Sequence, residues 1–131
     1  MKRTALLHAE LSHVIASLGH GDMLVLGDAG LPIPDGPRRI DLAVSANVPR
    51  LQDVLAAVLA EMQVEGAVIA EELAPRNPAV HAEVRRQLGD TPVQTLSHEQ
   101  FKLATRQARA IVRTGEFSPY ANVILRSGVV F

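Results

Sequence analysis

Met23-Leu24-Val25-Leu26-Gly27-Asp28-Ala29-Gly30 is an apolar run that stops in a turn of small residues and one aspartate. Such a run reads as a buried strand feeding a loop. Just upstream, Leu7, Leu11, Val14, Ile15 and Leu18 fall at helical spacing, and Gly19 follows at once. That predicts a helix over residues 8–18 with a glycine stop. Downstream, Leu31 to Pro37 holds three prolines in seven residues, an extended loop with little backbone freedom.

The alternation continues outward. Ile40 to Val44 reads as a second strand. Pro49 opens a helix whose apolar positions Leu51, Val54, Leu55, Val58, Leu59 and Met62 repeat at three and four. Val64 to Ala70 is a third strand, with Glu71 and Glu72 at its end. Asn77-Pro78 reads as an N-cap followed by proline at the first helical position, and the helix runs to Leu88 before Gly89. Val93 to Leu96 is a fourth strand. Ser97 and Gln100 form a capping box for a helix to about Ala108. Ala110 to Val112 and Asn122 to Leu125 complete six strands, the last two separated by a loop and not a helix. Strands alternating with helices predict an α/β sandwich, with helices on both faces of a mainly parallel or mixed sheet. Ligands in such folds collect beyond strand C-terminal ends, where Asp28 and the segment after Leu96 fall.

The chain has 131 residues, which predicts a single domain spanning 1–131. Hydrophobic residues are 47% and charged residues 21%, a globular balance. A formal net charge of -1 excludes a general affinity for nucleic acid or anionic membrane. There is no cysteine, so disulfides, thiolate metal sites and thiol nucleophiles are excluded. Phe101, Phe117, Tyr120 and Phe131 are too few aromatics for a stacking platform. The longest apolar run, Val54 to Ala60, is far short of the roughly 20 residues a membrane span needs. His8, Glu10, Ser12 and His13 interrupt any secretory signal after Lys2-Arg3, so none is expected.

The phosphate-binding glycine motifs, H-E-x-x-H and G-x-S-x-G are all absent. His8 and His13, five apart, sit on different helix faces, and no metal site is expected. Four segments remain as candidates. His20, between Gly19 and Gly21, is an accessible imidazole able to exchange protons near neutral pH. The plain alternative is a histidine bonded to the last carbonyls of its helix. Asp28 ends a buried strand, where a carboxylate can accept from hydroxyls or orient an imidazole; the alternative is a turn aspartate bonding its own backbone. His98 lies in a helix first turn, where unpaired N–H groups favour neutral imidazole, a donor and acceptor suited to sugar hydroxyls. The alternative there is a solvated surface residue. Ser118-Pro119-Tyr120-Ala121-Asn122 sets the only tyrosine beside an amide, a donor and acceptor pair for a polar ligand, or else a packed turn. Glu71-Glu72 ranks low as an acid/base pair, because adjacent strand residues face opposite ways.

Taken in order, Leu18-Gly19-His20, Asp28-Ala29-Gly30-Leu31-Pro32-Ile33-Pro34, Arg39-Ile40-Asp41, Glu61-Met62-Gln63-Val64-Glu65, Ala70-Glu71-Glu72, His98-Glu99-Gln100-Phe101-Lys102, Gly115-Glu116 and Ser118-Pro119-Tyr120-Ala121-Asn122 resemble the D-ribose pyranase family, within the ribose pyranase/fucose mutarotase group. The resemblance covers nearly the whole chain. It implies a three-layer α/β/α sandwich and a cytoplasmic isomerase that interconverts β-pyranose and β-furanose D-ribose for ribokinase in ribose catabolism. It implies no metal and no cofactor. It puts the proton donor on His20 and substrate binding on Asp28, His98, Tyr120, Ala121 and Asn122. It also implies a homodecamer of stacked rings, with each site completed by a neighbouring subunit. The stretch from Leu88 to His98 is shorter than the family pattern, and Phe117 is larger than expected. Two alternatives stay open: fucose mutarotase-like activity, and a sugar-binding module without catalysis. The apolar tail Val129-Val130-Phe131 suits subunit contacts in either case.

Overall fold

The computed structural model describes all residues from Met1 to Phe131. In chain order the elements are α1 (Ala9–Ser17), β1 (Met23–Gly27), β2 (Arg38–Asp41), α2 (Leu51–Leu59), β3 (Val64–Ala70), α3 (Leu73–Arg76), α4 (Pro78–Leu88), β4 (Val93–Leu96), α5 (His98–Ala104), β5 (Ala110–Arg113) and β6 (Val123–Ser127). A 3₁₀ turn, Thr105–Gln107, follows α5. The six strands form one mixed sheet in the order β2-β5-β1-β6-β3-β4. Only β6 runs against its neighbours, pairing antiparallel with β1 and β3 while β1 pairs parallel with β5, β2 with β5 and β3 with β4.

Side chains divide by strand period. Leu24, Leu26, Ala67, Ile69, Val123 and Leu125 join a large core with Leu11 and Val14 of α1, four residues of α2 and Val84 and Leu88 of α4. Val25, Val68, Ile111 and Ile124 face the other way, onto Phe101 of α5 and Leu31. Helices therefore cover both faces of the sheet, as expected of an α/β sandwich. A sheet buried on both faces needs continuous apolar runs, which is why Met23 to Leu26 shows no alternation. No helix is long and apolar enough to cross a membrane.

Several boundaries differ from the sequence reading. β2 is Arg38–Asp41 and not Ile40 to Val44, because its register follows Ala110–Arg113 of β5 and the Asp41 carboxylate then turns back to the Ala43 N–H at 3.0 Å. α2 starts at Leu51, two residues after Pro49, where the Arg50 N–H bonds the Asp53 carboxylate. Asn77 does precede α4, but its side chain makes no cap bond. Ser97 caps α5 as predicted, accepting from the Gln100 N–H at 3.2 Å, but the helix tightens into the 3₁₀ turn after Ala104. The short α3 carried no sequence signal of its own.

Candidate functional site

The parallel strands all point their C-terminal ends the same way, and β6, being antiparallel, begins at that end. Asp28 leaves β1 there and Asn122 enters β6 beside it. Each holds the other. The Asp28 N–H donates to Asn122 Oδ1 at 2.7 Å, and Asn122 Nδ2 donates to Asp28 Oδ2 at 3.0 Å. The Gly30 N–H fills a site on Asp28 Oδ1 at 2.9 Å. Each carboxylate oxygen thus has one protein donor and keeps acceptor capacity for a ligand hydroxyl. Burial pushes the Asp28 carboxyl above its ordinary value of 3.8, against the bonds from Gly30 and Asn122 and the nearby His98. Asn122 and Ala121 are fully buried, and Ala121 belongs to the large core.

His98 opens α5 on the same side. Its N–H bonds both oxygens of the Glu72 carboxylate, at 2.9 and 3.1 Å. Its ring centroid lies 6.4 Å from that of Phe101 in a stacked arrangement and 5.1 Å from that of Tyr120 in a T-shaped one. Nδ1 of His98 is buried with no hydrogen-bond partner. Leaving such a buried group bare costs about 1–3 kcal/mol, which a bond to a ligand would recover. Tyr120 has φ of 57°, a left-handed conformation that is uncommon for a bulky residue. The Arg76 guanidinium sits 6.0 Å over its ring.

That strained segment is braced from outside the predicted residues. Asn77 Nδ2 donates to Ser118 Oγ and to the Pro119 carbonyl, both at 2.9 Å. Ser118 Oγ donates to Glu116 Oε1 at 2.6 Å. The other Glu116 oxygen accepts the Leu51 N–H at 3.0 Å, so a distant carboxylate caps α2. Asp28, Gly30, Arg113, Glu116 and Ser118 line part of a cleft of about 440 Å³. Arg113 bonds the Ala29 carbonyl at 3.0 Å and the Asp41 carboxylate at 3.1 Å.

The structure therefore brings together Asp28, His98, Tyr120, Ala121 and Asn122. It does not bring His20 to them. His20 precedes β1 and Asp28 follows it, and the five-residue strand between them spans about 17 Å at ~3.3 Å per residue. In one chain Asp28 cannot orient His20. The exposed His20 ring instead meets Glu65, with Nε2 2.8 Å from Oε2, and does not bond the helix carbonyls. Sequence reasoning gave Asn77 only a helix-capping role and assigned no site role to Glu65, Arg113 or Glu116. It discounted Glu72 as a strand residue, but Glu72 lies beyond the end of β3, so strand alternation does not govern it.

Compared with known proteins, the chain matches the RbsD / FucU transport protein family over residues 1–130. It belongs to that family. It is 63% identical over 133 residues to a D-ribose pyranase of Paracidovorax citrulli, with all of both chains covered. It is 57% identical over 131 residues to one of Symbiobacterium thermophilum, again covering both completely. Its fold superimposes on Bacillus subtilis RbsD complexed with D-ribose with a TM-score of 0.97 and 43% identity over all of both chains. The fucose mutarotase of Streptococcus pneumoniae, complexed with L-fucose, matches with a TM-score of 0.84 and 27% identity over all of both chains.

Proposed function

We propose that this RbsD / FucU family chain is a D-ribose pyranase, an isomerase that interconverts β-D-ribopyranose and β-D-ribofuranose. The observation that carries the reading is the Asp28–Asn122 clamp beside an unpartnered His98, in a chain whose whole fold superimposes on a ribose-bound relative. Asp28 and Asn122 accept and donate to sugar hydroxyls, His98 Nδ1 supplies a further polar contact, and Tyr120 closes over the sugar with its hydroxyl and ring. Ala121 contributes by holding this turn in the core.

His20 is the proton donor, delivered to the site by a neighbouring subunit, since its own site lies at the opposite end of the sheet. An imidazolium gives its proton to the ring oxygen as the bond from that oxygen to the anomeric carbon breaks. The anomeric hydroxyl releases its proton to water, leaving the open-chain aldehyde. Closure reverses these transfers through the hydroxyl on the fourth carbon, whose proton returns to the imidazole while water reprotonates the aldehyde oxygen. No covalent intermediate with the protein is needed. The assembly is a homodecamer of stacked rings in the cytoplasm, the reaction uses no metal or cofactor, and ribokinase consumes the furanose. Exposed Val130, Phe131, Phe117 and Leu7 suit burial between subunits. Fucose mutarotase-like activity is the second reading, disfavoured by 27% identity to the fucose-bound relative against 43% to the ribose-bound one.

Magnetisation-exchange NMR on equilibrated D-ribose tests this directly. The protein should accelerate pyranose to furanose exchange, and His20→Ala should lower the rate by about 10²–10⁴-fold with the fold intact. Wild-type rates in His20→Ala would remove its role. Ribose binding with no acceleration by the parent protein would leave a sugar-binding module, and acceleration of fucose alone would favour the second reading.

A further inference from the structure

The loop carrying His20 is held on both sides. The Gly19 N–H donates to Asp22 Oδ2 at 2.9 Å, and Asp22 Oδ1 pairs with Arg109 at 2.9 Å. The Gly21 N–H donates to the Ser127 carbonyl, and the Ser127 N–H to the Asp22 carbonyl, both at 2.8 Å. So the backbone beneath His20 is tied to the end of β6. The partner carboxylate is aimed as deliberately. Between β3 and β6 the register pairs Val64 with Ser127 and Gly66 with Arg126, leaving Glu65 as an extra residue on β3. A bulge of this kind re-aims a side chain, and bulges are over-represented beside functional sites. Gly128 leaves the room: a Cβ there would stand 3.0 Å from Glu65 Cβ. Two features joined at the end of β6, a pinned loop and a bulge, thus converge on one hydrogen bond between side chains that are 63% and 38% exposed. A surface pair that open to water adds little stability, so its worth lies in orientation.

We propose that Glu65 is a positioning residue that fixes the tautomer of His20, so that the proton delivered to the sugar leaves from Nδ1. This rests on the reading of His20 as the proton donor. With the carboxylate accepting from Nε2–H, neutral His20 keeps its hydrogen on Nε2 and presents a bare Nδ1. The protonated ring has Nδ1–H to give. Loss of that proton to the ring oxygen and its recovery from the fourth-carbon hydroxyl both pass through one atom, and Nε2–H stays in place throughout.

The test uses the full chain and D-ribose. Glu65→Leu removes both the acceptor and the charge, and should lower kcat roughly 10²-fold with KM within about twofold. Glu65→Gln keeps an acceptor oxygen and should lie between Glu65→Leu and the parent. In ¹⁵N spectra of histidine-labelled protein, neutral His20 should be the Nε2–H tautomer in the parent and a mixture in Glu65→Leu. Light scattering should give the same mass for all three. A kcat within about twofold of the parent in both variants overturns the proposal, as does an Nδ1–H tautomer in the parent. A loss of rate that comes with a changed mass assigns the pair to packing instead. His20→Ala runs alongside: if it is inactive while the Glu65 variants are fully active, only the role of Glu65 fails. If it is fully active, the proton-donor reading fails and takes this one with it.

Discussion

Asp28 sits where two demands conflict. Its carboxylate is buried deeply enough to be raised above 3.8, yet it accepts two protein hydrogen bonds that favour the charged form. Because the native value is the higher one, the folded chain holds a proton that the unfolded chain has already released. The stability contributed by this group is fully present below 3.8 and is lost as pH rises through the native value. The unfolding free energy of the parent should therefore fall relative to Asp28→Asn over that window, measured by denaturant titration at a series of pH values. A flat difference would mean that the bonds from Gly30 and Asn122 cancel the burial. Asp28→Asn should also lose ribose binding, since its amide must turn an N–H toward either the Gly30 N–H or Asn122 Nδ2. At this scale the sequence singled out Asp28 and Asn122 as candidates and was silent about their partners. Asp28 and Asn122 are separated by 94 positions, and nothing local says that they clamp one another. The plain reading of Asp28 as a turn aspartate was half right, since it does bond the Gly30 N–H.

At the scale of elements, the segment from Thr114 to Tyr120 supports the Asp28–Asn122 side of the site. Thr114 Oγ1 donates to the Gly27 carbonyl at 2.8 Å, tying this segment to the end of β1. The Gly115 N–H donates to the Pro49 carbonyl at 2.8 Å, and an added Cβ would stand 2.5 Å from the Val48 carbonyl oxygen and 2.6 Å from that of Ser45. These are backbone atoms with no flexible end to swing away. Gly115→Ala should destabilise the chain by about 1–3 kcal/mol in thermal or denaturant unfolding, and should raise KM by disturbing Tyr120. An unchanged midpoint would show that the 45–48 turn yields. Element types were largely legible, because burial on both sheet faces writes itself as apolar runs and helix ends as glycine and serine. β3 and β4 match their predicted limits. Strand direction was not legible. A short strand reads alike both ways, so the antiparallel course of β6, which delivers Asn122 to Asp28, appears only in the pairing.

For the molecule as a whole, the decisive fact is that the proposed donor and the proposed sugar contacts occupy opposite ends of one sheet. A single copy does not hold a complete set. If neighbours share sites, a chain lacking only His20 and a chain lacking only Asn122 can repair each other. His20→Ala and Asn122→Ala, each inactive alone, should regain activity when unfolded together and refolded as a mixture, with about a quarter of sites intact at equal proportions. Absence of any recovery, with mixed assemblies demonstrated by mass, would place both residues' work within one copy. The resemblance had implied shared sites; composition and periodicity gave no hint of them.

The register of β6 makes the segment before it a ruler. Leu26 stands opposite Val123, which sets Asn122 across from Gly27 and within reach of Asp28, and the segment before it is pinned at Thr114, Gly115 and Glu116. One residue more or fewer there would have to break one of those bonds or slip β6, and a slip of one residue would turn the amide away to the other face of the sheet and offer the carboxylate an alanine or a valine. The proline-rich loop from Leu31 to Pro37 has no such duty. In a lineage of such chains, insertions and deletions would be tolerated in that loop and purged from the stretch before Asn122, so the spacing would outlast the identity of many residues within it.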